Sequence, residues 1–317
     1  IRDAFIKDAN GKKIIDINKN NLHVVNYSCF VDKKLSFNEL KRKLHYLPNL
    51  PDAIPYRTSY YNKDWGFCLS YNQFKKLDKS IDYFVKIDSS HVNGELLVAD
   101  YLIKGKQKEE IIFTSYLCHP SMINDNISGM VLWILFLKKL KKLNTKYSYR
   151  FILAPETIGA IAYLSKNEKK MSNVLGGFVF SCVSGPGNLG YKKTFLEDHI
   201  IDKICIDILK EVTKKPKIYS FDVFGSDERQ YSSPSFRIPM GTITKDKYFD
   251  YIYYHTSKDD LKFAKPKYLL ETIKIYEKIF ERLEKTSLSE FDKSIKKNKT
   301  NQTIKSNNPF CEPMLSK

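Results

Sequence analysis

The chain has 317 residues and a net charge of +17, from 53 Lys and Arg against 36 Asp and Glu, with 42% apolar and 14% aromatic residues. That length and apolar share support one large domain or two moderate ones with a full core, and no apolar run reaches the ~18 residues that a membrane-spanning helix needs. The positive excess is nearly all lysine, spread along a chain rich in Ile, Asn and Tyr, with no arginine cluster and no RNA-binding signature, so it does not read as a nucleic-acid surface.

Six cysteines (Cys29, Cys68, Cys118, Cys182, Cys205 and Cys311) show neither CxxC pairs nor framework spacing. They read as reduced thiols of a cytoplasmic protein. The start, IRDAFIKDANGKK, has no Met and no signal-peptide pattern, which fits a piece of a longer chain.

In chain order, residues 1–18 read as a hairpin with strands at Ala4-Phe5-Ile6 and Ile14-Ile15 and a turn at Asn10-Gly11. Residues 23–25 and 27–30 look like strands. Ser36 and Glu39 have capping-box spacing and open a short helix ending near Tyr46. Three prolines between 48 and 55 and many aromatics then predict a loop-rich β region. A short helix follows over 71–77, and 82–88 alternates as a strand. Asn93-Gly94 turns the chain into a strand over 95–103.

An apolar run from Ile111 to Leu117 reads as a buried strand that ends in Cys118-His119-Pro120. Asp125 comes six residues after His119, and a helix over 129–143 follows. A His and an Asp therefore sit on the loop at the carboxyl end of a strand, where open α/β sheets place ligands. Imidazole with carboxylate is a donor set that suits zinc. A single His at a strand end is ordinarily structural; here three more polar clusters follow, at 155–159 (PETIG), 225–230 (GSDERQ) and 254–259 (YHTSKD).

The remaining predicted elements are strands over 147–154, 177–183 and 238–244, and helices over 158–165, 196–214 (with His199 exposed near its start) and 266–284. From Lys285 the chain turns polar and lysine-rich and reads as a tether. Alternating strands and helices give an α/β fold, a sandwich with a mixed central sheet.

The order His…Asp-Asn-x-Ser-Gly…Glu-x-x-Gly…Ser-Asp…His-Thr-x-x-Asp resembles the zinc aminopeptidase superfamily, which also contains glutaminyl cyclases. More closely, HPSMINDNISG, PETIGAIAYL, GSDERQYSSP and YHTSKDDL resemble bacterial aminopeptidase-like domain proteins, often encoded among polysaccharide-biosynthesis genes. The match runs from residue 1 to about 285. It implies a three-layer aminopeptidase-like domain from residues 1–20 and 97–285, a small β-rich inserted domain over 21–96, and a polar tether over 286–317. The insert is read either as a wall of the active-site cleft or as a structural ornament. Asn308 to Pro313 resembles the lead-in to a C-terminal winged-helix domain of longer relatives, the only route by which nucleic acid enters this reading.

The resemblance assigns His119, Asp125 and His255 as metal ligands, Asn126 and Ser128 as supports of the Asp125 loop, and Glu156 as general base. Asp227 matches a residue close to the metal site, and Glu228 beside it is a candidate site residue: a ligand partner, a fourth ligand or an anchor for a substrate amine. Arg229 could pair with a substrate carboxylate or neutralise Glu228; Asp259 would orient His255; Tyr254 could donate to an oxyanion. Two positions depart from the family. Thr157 stands where a second glutamate ligand is usual, and Ser181 is aligned with a missing aspartate; Cys182 is a possible ligand but reads as strand core. One zinc per chain is therefore expected. The implied function is zinc-dependent cleavage of an amide bond in a small peptide-like substrate. The alternatives are a degenerate peptidase fold acting as a binding or regulatory module, and amide chemistry on an amino-sugar intermediate of polysaccharide biosynthesis.

Overall fold

The computed structural model describes residues 1–60, 62–222, 224–245 and 247–302, with side chains described to residue 295. The chain divides into two units. The first comprises Ile1–Glu95, His119–Met122 and Ile252–Lys262; the second comprises Leu96–Cys118, Ile123–Tyr251 and the chain from Phe263.

The first unit contains β1 (Asp3–Lys7), β2 (Lys13–Asp16), β3 (Val31–Ser36), α1 (Phe37–Lys41), β4 (Leu44–His45), β5 (Phe67–Cys68), α2 (Tyr71–Lys75) and β6 (Asp82–Asp88). An antiparallel sheet in the order β2-β1-β6-β3 carries it. The hairpin over 1–18 forms, but it supplies two strands of this small sheet rather than joining the α/β domain. β1 pairs with β6 along its whole length, and Ala4 and Ile6 enter a core with Leu35, Phe67, Val85 and Ile87. The expected capping box is present: Glu39 N–H donates to Ser36 Oγ at 3.4 Å and Ser36 N–H to Glu39 Oε2 at 2.9 Å. The helix nevertheless stops at Lys41, because the chain enters β4 to pair with β5. The strands expected at 23–25 and 27–30 do not form. A 3₁₀ turn at Asn21–His23, capped by Asn20 Oδ1 accepting from Leu22 N–H at 2.9 Å, diverts the chain.

The second unit contains β7 (Ala99–Ile103), β8 (Glu110–Leu117), α3 (Ser128–Leu140), β9 (Ser148–Pro155), α4 (Ile158–Lys166), α5 (Glu168–Met171), β10 (Val174–Val179), β11 (Gly190–Lys192), α6 (Ile200–Val212), β12 (Lys217–Tyr219), α7 (Glu228–Tyr231), β13 (Met240–Thr244), α8 (Pro266–Lys285) and α9 (Leu288–Gln302). Its mixed seven-stranded sheet has the order β12-β11-β13-β10-β8-β9-β7, parallel from β13 to β9. β8 is buried on both faces, as its apolar run predicts. Ile111 and Phe113 pack with α3, α6 and α8, while Ile112 and Tyr116 pack with α4 and Tyr231, so two cores sandwich the sheet. β7 pairs with β9, so Asn93-Gly94 is not a hairpin turn between adjacent strands.

Two expectations fail here. His199 is fully buried as the N-cap of α6, its Nδ1 accepting from Ile201 N–H at 3.4 Å. The segment after Lys285 is not a plain tether, because α9 forms and Phe291 buries itself against Tyr147 and His199. Leu288, Phe291 and Ile295 stand at helical spacing there, a short stripe that the surrounding lysines and polar residues mask. The Asn308–Pro313 segment lies outside the described residues. Among the described residues no helix is long and apolar enough to cross a membrane.

Candidate metal centre

In the first unit the structure brings His119 and His255 together. Their ring centres lie 4.3 Å apart, tilted by 50°. Tyr56 stands edge-on to both, at 4.9 Å from His119 and 5.3 Å from His255. His255 is pinned by backbone pairing: Tyr56 N–H donates to His255 O at 2.8 Å, and Ser257 N–H to Ile54 O at 2.8 Å. Tyr254 stacks flat on His255, with ring centres 3.8 Å apart. The His119 segment is held by Asn21 Nδ2, which donates to Ser121 Oγ at 2.8 Å, and by Met122, which enters a core with Leu22, Val25, Ile54, Tyr56 and Cys68. Asp259 is buried, its N–H donating to Thr256 O at 3.1 Å.

In the second unit Asp125 is buried on the loop after β8, with Tyr116 Oη donating to its Oδ1 at 2.8 Å. The expected supports are present. Asn126 Nδ2 donates to Ser115 Oγ and to Phe180 O, each at 3.1 Å, and Ser128 Oγ donates to Asn124 O at 2.7 Å. Gly129 lets α3 start this close, since a Cβ there would strike Asn126 Oδ1 and Phe180 O. The Asp125–Asn126 peptide is cis.

β9 runs directly into Glu156. Ile158 N–H donates to Glu156 O at 2.7 Å, closing a tight turn whose central residue, Thr157, has φ +62° and ψ −71°. That is the rare, strained form of γ-turn. Asp227 Oδ1 accepts from Thr157 N–H at 2.7 Å and holds it. Glu156 Oε1 accepts from Ser226 Oγ at 3.0 Å, and the Cys118 thiol also bonds its carboxylate. Loss of solvent, then the Asp125 charge, push the Glu156 carboxyl up to about 7, against those two hydrogen bonds. Asp227 is raised well above the usual carboxylate range by burial and by Glu156; its Oδ2 is buried and has no hydrogen-bond partner among the described residues.

Glu228 is engaged elsewhere. Lys192 Nζ donates to its Oε1 at 2.6 Å and Tyr248 Oη at 2.5 Å, with Lys192 and Glu228 only 2% and 1% exposed. Burial acts to raise the Glu228 carboxyl, but the Lys192 charge and these hydrogen bonds outweigh it and hold it below the usual value. Lys192 also donates to Asp222 O and Phe224 O, at 2.9 and 3.0 Å, so it anchors the chain leading into Ser226 and Asp227. Gly225 is required by this crowding, since a Cβ would collide with Lys192 Nζ, Glu228 Oε1 and Tyr248 Oη. Arg229 acts on Asp227, opposing the rise in its carboxyl.

The two family departures are filled by hydrogen bonds. Thr157 gives its N–H to Asp227, and Ser181 Oγ lies 2.6 Å from Tyr116 Oη. Cys182 is fully buried, as expected of a core position. Sequence reasoning missed Tyr56, Tyr116 and Lys192. Tyrosine and lysine are so frequent in this chain that nothing marked these three. Within the first unit His119 and His255 offer two paired imidazoles, donors that suit zinc.

Residues 13–286 match the family described as "Domain of unknown function (DUF4910)". A Clostridium acetobutylicum protein, named provisionally for polysaccharide biosynthesis with an aminopeptidase-like domain, is 43% identical over 318 residues, covering 100% of this chain and 69% of that protein. The crystal structure of a provisionally named peptidase from the same organism superposes with a TM-score of 0.86 at 42% identity, over 100% of this chain and 71% of that one. A zinc aminopeptidase from Bacillus subtilis superposes with a TM-score of 0.64 over 90% of this chain and 83% of its own, at 13% identity. The fold is therefore that of the zinc aminopeptidases.

Proposed function

The chain belongs to the DUF4910 family, and from that premise we propose that it is a zinc-dependent hydrolase that cleaves an amide bond in the manner of an aminopeptidase. The observation that carries the reading is the pairing of His119 and His255, two imidazoles from distant parts of the sequence with ring centres 4.3 Å apart. With Asp125 they would hold one zinc ion. When bound, zinc supplies a Lewis acid that polarises a carbonyl and eases deprotonation of water. Glu156 takes the proton of the attacking water and returns it to the leaving amine. The Thr157 turn aims Glu156, Asp227 holds that turn, and Glu228 acts only through Lys192 and the chain it anchors. Tyr56 fixes the two imidazoles. The test is a panel of aminoacyl-nitroanilides with added zinc, read for wild type and Glu156→Gln. A loss of about 10²–10⁴-fold in the variant supports the reading. Activity unchanged in Glu156→Gln, with no zinc bound, overturns it and favours a non-catalytic binding module.

The name of the Clostridium relative favours a second reading: an amide on an amino-sugar intermediate of polysaccharide biosynthesis. N-acylated amino sugars assayed beside the nitroanilides separate the two.

A further inference from the structure

Within the first unit, a cavity of about 470 Å³ is lined by the turns over 21–28, by the chain leaving β6 at 89–92 and by Pro120. That volume is in the range of small-ligand sites. Its lining side chains are amides, hydroxyls, apolar groups and one imidazole, His91, with no Asp, Glu, Lys or Arg. We propose that this cavity is a saccharide subsite, which takes an uncharged pyranose beside the histidine pair. The inference goes beyond the zinc reading and does not depend on a metal.

The lining selects for an uncharged ligand. A charged group entering it would lose solvent and meet no opposite charge. Arg2, which donates to Ser90 Oγ at 3.2 Å, is already paired with Asp88 at 3.0 Å. Asn21 Nδ2 donates to Ser121 Oγ at 2.8 Å, and Asn26 Nδ2 lies 3.5 Å from Tyr56 Oη, which leaves each amide its Oδ1 as an acceptor for ligand hydroxyls. Tyr27 supplies the apolar contact. Its ring is 54% exposed and lies beside Tyr60, 56% exposed, with centres 6.2 Å apart. A pyranose has hydroxyls around its rim and C–H groups across its face, and that face packs on an aromatic ring. Tyr27 holds φ +64°, a conformation that is costly for a bulky residue and that clusters at ligand clamps. No lining residue belongs to a strand, so the cavity offers no ladder of backbone groups to an extended peptide. The two asparagines also touch what sets the imidazoles: Ser121 follows His119 by two residues, and Tyr56 stands edge-on to both rings.

The test is calorimetric titration of the metal-free full chain with glucose, cellobiose, N-acetylglucosamine and its β-1,4-linked disaccharide. Glucosamine, glucuronic acid and N-acetyl-trialanine amide serve as the cationic, anionic and peptide counterparts. At least one neutral saccharide should bind saturably, and more tightly than the three counterparts. Tyr27→Gly should weaken that binding about 10-fold or more. It should not lower the melting temperature, because glycine accepts the positive φ without strain. Tyr101→Ala, which removes another exposed aromatic ring, on β7, should leave binding unchanged. No saturable binding of any neutral saccharide overturns the proposal, as does tighter binding of a counterpart or wild-type affinity in Tyr27→Gly. Should Tyr27→Gly not fold, wild-type affinity in Ser90→Trp, which puts bulk into the cavity, overturns it. Because the titration is done without metal, its failure leaves the zinc reading standing, and failure to bind zinc leaves this proposal standing.

Discussion

The backbone N–H of Thr157 donates to Asp227 Oδ1 at 2.7 Å, and this bond holds the strained turn that carries Glu156. Asp227 therefore serves Glu156 by fixing its backbone. Asp227→Ala should leave that N–H without its acceptor and cost about 1–3 kcal/mol of stability, read from urea denaturation of the metal-free protein. Asp227→Asn keeps an acceptor oxygen and should lose less. Equal midpoints for wild type and Asp227→Ala would contradict the assignment.

The buried Lys192–Glu228 pair gives a second prediction. Removing one partner strands the other charge, so Lys192→Met should destabilise by about 3–5 kcal/mol. The double variant Lys192→Met/Glu228→Leu should recover much of that loss, because no buried charge is left alone. A denaturant double-mutant cycle reads the coupling. Additive losses would mean that the two side chains do not depend on each other.

His199 predicts a pH dependence of stability. Burial is the main reason that its imidazole is pushed down to about 3, whereas an unfolded chain titrates near 6.5. Below pH ~6.5 the unfolded state takes up a proton that the folded state refuses. The stability held by neutral His199 is therefore full above pH ~6.5 and is lost as pH falls towards about 3. His199→Asn retains a capping oxygen and cannot take that proton. Its curve of unfolding free energy against pH should be flatter across this window, by up to about 1.4 kcal/mol per pH unit. Parallel curves would contradict the assignment.

Tyr56 touches both imidazoles edge-on. Tyr56→Leu keeps an apolar side chain but removes the ring that sets their orientation. Zinc affinity should fall by about 10-fold, measured by chelator competition, and unchanged affinity would remove Tyr56 from the site.

Much of the α/β unit was legible because its signals are local. The apolar run of β8 and the helical spacing of α8 fall where they were read, and the capping box at Ser36 forms. The polar clusters at 118–128, 155–159 and 254–259 were legible as residue types in an order. What stayed hidden depends on tertiary partners. The N-terminal hairpin chose β6, a pairing that no local pattern announces. Glu228 looked like chemistry because it follows Asp227, yet Lys192, from a three-residue strand too short to show periodicity, takes its carboxylate. His199 sits near the start of a helix, a position that usually faces water, yet it is buried, with Phe291 from α9 packed against its ring.

The central claim is that His119, Asp125 and His255 hold one zinc ion that serves Glu156. The most direct test is zinc per chain by elemental analysis, on protein purified without chelator, beside His119→Ala and His255→Ala. The account predicts about one zinc per wild-type chain, lost from both variants. A wild-type chain that takes up no zinc when zinc is supplied, or variants that hold as much as wild type, would contradict it.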